Sequence, residues 1–205
     1  MPKGKKEDLS KFVTTPKCEA KWIYLDKPNT NFSDDGGYEV TVLFDPDNPE
    51  HKQFLDELEV IEQELRNEFL KSLTPAKRKS IIHQPLIKED EDQDGNETGY
   101  LKIRTKSKYP PTVIDSQLHK IVPPSNLGNG TVVKVGMTLK PVLVSKNLYI
   151  TAYLQVVQLI DIKTFDSMSN MDYTTLGFSV EDGFVSEDII DNFKPEVDIK
   201  DNGDF

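Results

Sequence analysis

The sequence is poor in the residues that build disulfide frameworks and metal centres. Among 205 residues there is one cysteine, Cys18, and the histidines His51, His83 and His119 are far apart and lack ligand spacing. A single cysteine excludes an intramolecular disulfide and fits a reducing compartment, with Cys18 as a small strand-borne hydrophobe. We therefore expect no metal site and no cofactor.

Catalytic motifs are missing as well. The sequence contains no nucleophile elbow, Walker sequence or paired-carboxylate motif. Residues 90–95 imitate the start of an EF-hand loop, but Leu101 stands where that loop requires a bidentate glutamate. Residues 128–130 precede a predicted strand and not a helix, so they indicate a turn and not a phosphate loop. The sequence thus predicts a protein that is not an enzyme, and it disfavours a small hydrolase or nuclease.

Long apolar segments are also absent. No apolar run is long enough to span a membrane, and the first residues, MPKGKKEDLSKF, are polar. The length allows one domain of about 150 residues together with a tail. We expect a soluble, intracellular protein without a membrane partner. Its predicted parts are a disordered basic N-terminus at 1–10, one domain at 11–165, and a linker and tail at 166–205.

Positive charge is in deficit overall, and only its distribution reveals a basic body. The net charge of -10 by itself argues against a polyanionic ligand. However, residues 99–163 contain nine bases and two acids, whereas residues 181–205 contain nine acids and two bases. Six further acids lie in residues 89–97. The chain is therefore a basic body with acidic appendages.

Apolar periodicity predicts a mainly β (α+β) chain. We expect residues 11–25 to be extended, with Pro16 at a bend or an edge position. Four strands follow, at 38–44, 100–107, 131–144 and 147–162, and a tight Ser145-Lys146 turn joins the last two as a hairpin. Because no βαβ rhythm occurs, these five or so strands and one helix predict an α+β chain organised around an antiparallel barrel.

One amphipathic helix interrupts the strands. Asn48 is placed to cap it and Pro49 occupies its first position. An apolar stripe with helical spacing follows, formed by Phe54, Leu55, Leu58, Ile61, Leu65 and Phe69. Residues 74–98 then read as a long hydrophilic connection.

Strand alternation predicts the two faces of the last three strands. The buried rows are Leu101 and Ile103; Val133, Val135, Met137 and Leu139; and Leu148, Ile150, Ala152, Leu154 and Val156. Trp22 and Tyr24 share a strand face and are candidates for either the core or stacking; Trp22 is assigned to the core. The outward rows combine lysine and arginine with tyrosine and contain no acid.

A basic row interleaved with aromatics is typical of a surface that binds single-stranded nucleic acid. Cations follow the phosphates, and aromatic faces stack on any base at roughly 1–3 kcal/mol each. Alternatively, these lysines only solubilise the strands and blunt their edges. The absence of acids favours binding, because solvated faces normally mix both signs. The predicted DNA-binding residues are Lys102, Arg104, Lys106, Lys108, Tyr109, Lys134, Lys140, Lys146, Tyr149 and Tyr153.

The acidic C-terminal segment contains spaced apolar residues and ends on Phe205. Such a tail can occupy a basic groove in cis, or insert Phe205 into a basic-rimmed pocket of a partner. The predicted partner-binding residues are Asp198, Asp201, Asp204 and Phe205. The alternative is a disordered acidic end without a role.

Along essentially its whole length the chain resembles the replication single-stranded DNA-binding proteins of short-tailed bacteriophages of the T-seven type. The order of several segments supports this: KWIYLDKP, then YEVTVLFDPDNPEHKQFLDELE, YLKIRTKS, VIDSQ, GNGTVVKVGMTLKPVLV, LQVVQLIDI and the ending DNGDF. The resemblance implies an OB-fold that protects and anneals single strands in replication, recombination and repair. It also implies a homodimer in the cytoplasm of an infected bacterial host, whose tail contacts phage DNA polymerase and helicase-primase.

The resemblance assigns roles by position. Lys102 and Arg104 match the family's basic strand, Phe205 matches its terminal aromatic residue, and Tyr149 and Tyr153 match its aromatic strand approximately. One departure concerns the helix, which follows the second predicted strand, whereas a generic OB-fold has it after the third. Either the helix is a family insertion or residues 11–25 form two strands around Pro16.

A function of a different class also fits this sequence. In that alternative the protein is a non-enzymatic interaction or assembly module, with the barrel as scaffold and the acidic tail as the active element.

Overall fold

The computed structural model describes residues 9–31, 36–164 and 179. The chain divides into two units, Met1–Ser167 and Met168–Phe205, and Ser179 is the only described residue of the second unit. The strands are β1 Lys11–Thr14, β2 Cys18–Tyr24, β3 Tyr38–Phe44, β4 Ile82–His83, β5 Lys88–Glu91, β6 Glu97–Ser107, β7 Thr112–Ile114, β8 Thr131–Val144 and β9 Asn147–Asp161. The helices are α1 Pro49–Lys71 and α2 Pro75–Arg78.

Five strands close into a barrel. β2 pairs with β3 and β8, β3 pairs with β6, and β9 pairs with both β6 and β8. This is the five-stranded Greek-key barrel of an OB-fold, so the predicted fold class is confirmed. The barrel is not wholly antiparallel, because β6 and β9 run parallel where Lys106 faces Tyr153. The pairs β6–β3, β3–β2, β2–β8 and β8–β9 are all antiparallel. Because these four reversals cancel, β9 runs in the same direction as β6.

Pro16 interrupts the first strand without redirecting it. β1 and β2 both run antiparallel to β8, with Thr14 opposite Gly136 and Cys18 opposite Val133. Thr15 bridges the gap, since its amide donates to Val135 O and its hydroxyl accepts from Val135 N, each at 3.0 Å. Residues 11–25 thus form two strands, as one of the two alternatives proposed.

Helix α1 begins as predicted. The Asn48 side chain accepts hydrogen bonds from the amides of Glu50 and His51, and Pro49 is the first helical residue. The helix buries Leu55, Leu58 and Leu65, with Phe54 and Ile61 packed beside them. β1 and β2 both pair with β8 and together count as the first strand of the barrel, so β3 is the second and β6 the third. Helix α1 therefore follows the second barrel strand in the sequence and precedes the third. Among the described residues, no helix is long and apolar enough to cross a membrane.

The segment 74–98 is more ordered than the predicted connection. It contains α2, β4 and β5, and β5 forms a hairpin with β6. Two side chains of α1 hold it: the Glu62 carboxylate accepts from the amide of Leu86, and Arg66 donates to the carbonyl of Gln84. Burial raises the pKa of Glu62 although Arg66 pairs with it. Hydrophilic sequence did not indicate order here because these bonds come from side chains of the preceding helix, 18 and 24 residues earlier in the chain.

The barrel interior confirms most of the predicted core. Val133, Val135, Met137 and Leu139 are buried, as are Leu148, Ile150, Ala152 and Leu154. Val156 was wrongly assigned: a register shift at Gly136 and Met137 moves it outward, and Val157 and Leu159 continue the buried row. Trp22 was also wrongly assigned to the core, since it is 54% exposed.

Candidate nucleic-acid interface

A cleft of about 660 Å³ lies on the outer surface of the barrel, where β3, β6 and β9 adjoin Asn29, Gly36 and Gly37. Its lining combines three cations with one aromatic side chain and one carboxylate. The lining residues are Asn29, Gly36, Gly37, Glu39, Arg104, Lys106, Ser107, Lys108 and Tyr153.

Alternation along β6 positions the cations. Ile103 and Thr105 are fully buried, and the Thr105 hydroxyl donates to Val40 O at 2.8 Å. Arg104 lies between these two residues and Lys106 follows Thr105, so both must face outward, as predicted. Lys106 lies opposite Glu39 on one side and opposite Tyr153 on the other. One row across three strands thus contains an acid, a base and an aromatic residue.

Glu39 on β3 fixes the position of Arg104. Glu39 is only 7% exposed, and its Oε2 accepts from Arg104 Nε at 3.0 Å and also from a terminal guanidinium nitrogen. Its Oε1 accepts from Asn29 Nδ2 at 2.9 Å. The carboxylate therefore holds the guanidinium in place and offsets part of its charge. The other cations of the cleft, Lys106 and Lys108, are exposed.

Asn29 and Gly37 are clamped together beside the cleft. Asn29 and Gly37 exchange two backbone hydrogen bonds, of 2.8 and 3.2 Å. Gly36 has φ +61, and a Cβ there would lie 2.9 Å from Pro28 Cβ. Glycine is therefore required at this position. The clamp places Asn29 against Glu39, so it also supports the carboxylate that binds Arg104.

Lys102 is predicted as a DNA contact, but its ammonium group already faces a carboxylate. Asp90 of β5 lies 3.6 Å from Lys102 Nζ and 2.7 Å from Lys21 Nζ, and it also accepts from Thr98 at 2.9 Å. Burial opposes the ionisation of Asp90, but its bonds to Lys21 and Thr98 and the charge of Lys102 together hold its pKa below the usual range. Lys102 therefore contributes less net positive charge than its sequence position suggests.

Tyr149 and Lys140 lie on the same outer surface as Tyr153 but outside the cleft lining. Tyr149 faces Val142 across the hairpin, and Lys140 faces Thr151. Tyr149 and Tyr153 are four positions apart along β9, a distance of about 13 Å. Tyr149 and Lys140 extend the cleft surface toward the β8–β9 turn.

The remaining predicted contacts are more scattered. Lys134 faces Gln158, past the register shift in β8. Lys146 is in the β8–β9 turn, where its carbonyl accepts from the amide of Ile82 at 2.8 Å. Tyr109 follows the cleft residue Lys108 and is 78% exposed. The structure thus brings four of the ten predicted residues into one cleft: Arg104, Lys106, Lys108 and Tyr153.

Sequence reasoning missed the acids of this surface. The outward rows of β6, β8 and β9 lack acids, but their neighbours supply Glu39 from β3 and Asp90 from β5. The alternation of YEVTVLF already places Glu39 outward, so it was detectable. Asp90 was not, because the β5–β6 pairing is invisible in a hydrophilic segment.

Some predicted features lie outside the described residues. These are the N-terminus at 1–8 and the tail with Asp198, Asp201, Asp204 and Phe205. Within the described part of the chain, no group of three or more histidine, cysteine, aspartate or glutamate side chains is arranged to hold a metal ion.

The cleft lies on the face by which OB-folds bind oligonucleotides and oligosaccharides, formed by the second and third barrel strands and the loop between the first two. The chain is therefore an OB-fold protein with a basic-aromatic cleft at the ligand-binding position of that fold. No protein-family model matches the sequence, and no curated protein matches it either.

Solved structures of phage proteins share this fold. The single-stranded DNA-binding protein gp2.5 of bacteriophage T7 is 18% identical, with a TM-score of 0.57, over 86% of this chain and 99% of its own. A C-terminal truncation of the single-stranded DNA-binding protein of bacteriophage Enc34 is 15% identical, with a TM-score of 0.59, over 78% and 95%. The Enc34 protein in complex with single-stranded DNA is 16% identical, with a TM-score of 0.57, over 80% and 94%. At these identities the likeness establishes a common fold, and it confirms the structural side of the predicted resemblance.

Proposed function

We propose that this protein binds single-stranded DNA without sequence preference through the cleft of Arg104, Lys106, Lys108 and Tyr153. The observation that carries the proposal is the convergence of three cations and a tyrosine on the OB-fold's ligand-binding face. If this were merely a solvated surface, nothing would require these side chains to meet in a concave site.

The chemistry of the cleft explains the lack of sequence preference. Lysine and arginine neutralise phosphates, which every nucleotide carries, and release counterions. Tyr153 offers a ring face on which any base stacks. Arg104, held by Glu39, presents a planar guanidinium in a defined position, which suits phosphate or base contact.

The structural relatives support the same ligand. Three related structures are of phage single-stranded DNA-binding proteins, and one was solved with single-stranded DNA. By analogy, the role proposed here is binding and not catalysis. It comprises protection and annealing of single strands in phage DNA replication, recombination and repair, in the cytoplasm of an infected bacterial cell. We further propose a homodimer whose acidic tail recruits DNA polymerase and helicase-primase and competes with DNA for the basic cleft.

Fluorescence anisotropy of labelled oligo-dT tests this proposal. Full-length protein and a version ending at Val180 are titrated at two salt concentrations. We expect both to bind, the truncated version more tightly because an acidic competitor is removed, and both more weakly at higher salt. A labelled double-stranded oligonucleotide of the same length is the control and should bind more weakly.

If neither version binds oligo-dT at low salt, the proposal is refuted. The cleft would then be a solvated surface, and an interaction module with the tail as its active element would be the better explanation.

A further inference from the structure

Trp22 is the single tryptophan of the chain, and it is neither buried nor in an ordinary strand conformation. Its side chain is 54% exposed, and its backbone has φ +53. Left-handed backbone is rare for a bulky residue and strains it. An exposed indole also forgoes the stabilisation that burial would give. Fold stability therefore does not explain this residue.

The surrounding structure holds Trp22 in this conformation. The pairing of β2 with β3 shifts register between Lys21 and Tyr24, so Trp22 lies at an irregularity of the strand. Its amide donates to Asn129 Oδ1 at 3.1 Å, and the next residue, Gly130, donates its amide to Ala20 O at 2.9 Å. A β-bulge of this kind re-aims a side chain and is common next to functional sites.

Two rows of side chains connect Trp22 to the cleft. On one side of it Lys21 faces Thr41, which faces Arg104; on the other Tyr24 faces Glu39, which faces Lys106. Both rows run from β2 across β3 to β6. Trp22 is therefore two strand spacings from the cleft cations, about 10 Å.

We infer that Trp22 is a stacking platform for a base of single-stranded DNA, and that it extends the binding surface from the cleft across β3 to β2. This inference rests on the proposed function and names a further contact of the same surface. A base is the ligand that an exposed indole near the cleft cations fits, since tryptophan supplies the ring face while Lys106 and Lys108 of the cleft supply positive charge for the phosphates. The left-handed backbone is what turns the indole outward.

Because Trp22 is the single tryptophan, its fluorescence reports on this position alone. Full-length protein is titrated with unlabelled oligo-dT while tryptophan emission is recorded, and a parallel anisotropy titration uses labelled oligo-dT. We expect emission to be quenched and to saturate at the same stoichiometry as the anisotropy. Stacking of a base on the indole brings the two rings into contact, which is the cause of the quenching.

Substitution tests the energetic contribution of the ring. Trp22→Gly should weaken oligo-dT binding by about 5- to 150-fold, the equivalent of the stacking energy of one base. Its unfolding temperature should stay equal or rise, because glycine adopts positive φ without strain. Trp22→Phe keeps an aromatic face and should retain most of the affinity. A loss of affinity without a loss of stability separates a binding role from a structural one.

Failure of this inference is distinguishable from failure of the proposed function. If oligo-dT binds by anisotropy but neither quenches Trp22 nor binds Trp22→Gly more weakly, Trp22 is not a contact and the cleft alone binds DNA. If oligo-dT does not bind at all, both proposals are overturned.

Discussion

Lys106 lines the cleft and lies opposite Glu39 on β3 and Tyr153 on β9. Its neighbour Arg104 is tied to Glu39, whereas Lys106 is exposed. At the scale of single residues, the surface thus combines a cation held by a carboxylate with an exposed lysine beside it. Their contributions to DNA binding should differ accordingly.

Substitution Lys106→Glu should weaken binding of oligo-dT and should do so for every oligonucleotide sequence alike. Loss of one phosphate contact should also reduce the slope of log K against log salt by about 0.7. The measurement is anisotropy over a series of salt concentrations. Lys52→Glu, at an exposed position of α1, is the matched control and should leave both affinity and slope unchanged. Equal effects of the two substitutions would show that only the overall charge matters.

At the scale of elements, the β5–β6 hairpin covers part of the outer surface next to the cleft. Asp90 of β5 connects it to Lys21 on β2 and to Lys102 on β6. The same bonds bring a nearly buried carboxylate into a region that the sequence presents as purely basic. The hairpin therefore both stabilises the barrel and lowers the local positive charge.

Asp90→Asn should lower the free energy of unfolding by about 1–3 kcal/mol at pH 7, because hydrogen bonds to a charged group are lost. The folded-state pKa of Asp90 is lowered, so its contribution is present above the ordinary pKa of aspartate and is lost as pH falls through the folded value. Urea unfolding at pH 7 and pH 3 measures this. The difference between wild type and variant should shrink at pH 3.

Asp94→Asn, at the exposed turn of the same hairpin, is the control for Asp90→Asn and should be nearly neutral at both pH values. If the difference in the free energy of unfolding between wild type and Asp90→Asn is the same at pH 7 and pH 3, the assigned ion pairs are contradicted.

At the scale of the whole molecule, the buried apolar cluster of the described residues runs from Cys18 to Leu159. It belongs to the first unit, Met1–Ser167. The cluster includes both the barrel interior and the apolar face of α1, and burial of such surface is the main stabilising contribution to a domain of this size.

A version ending at Ser167 should therefore unfold in one cooperative transition, at a temperature within a few degrees of that of the full chain. Differential scanning calorimetry measures this, and full-length protein in high salt is the control for charge effects of the removed acidic segment. A large drop in the unfolding temperature would show that residues beyond 167 belong to the folded domain.

Local sequence pattern determined much of this protein. Alternation placed Ile103 inside and Arg104 outside, the Asn48-Pro49 pair marked the start of α1, and Ser145-Lys146 marked the β8–β9 turn. Each of these features depends on a few neighbouring residues, because side-chain period, capping and turn geometry are properties of short segments. The segment order that suggested phage single-stranded DNA-binding proteins likewise needed only the sequence.

Only the tertiary structure decided which residues meet. It brought Glu39 to Arg104 and Asp90 to Lys102, gathered four of the predicted contacts in one cleft, and turned Trp22 out of the core. It also made β6 and β9 parallel, which no single strand pattern indicates. These features depend on pairing between segments distant in the chain and on a register shift within β2. Strand periodicity predicts which face a residue occupies but not which neighbour lies across from it, because register depends on how the whole barrel closes.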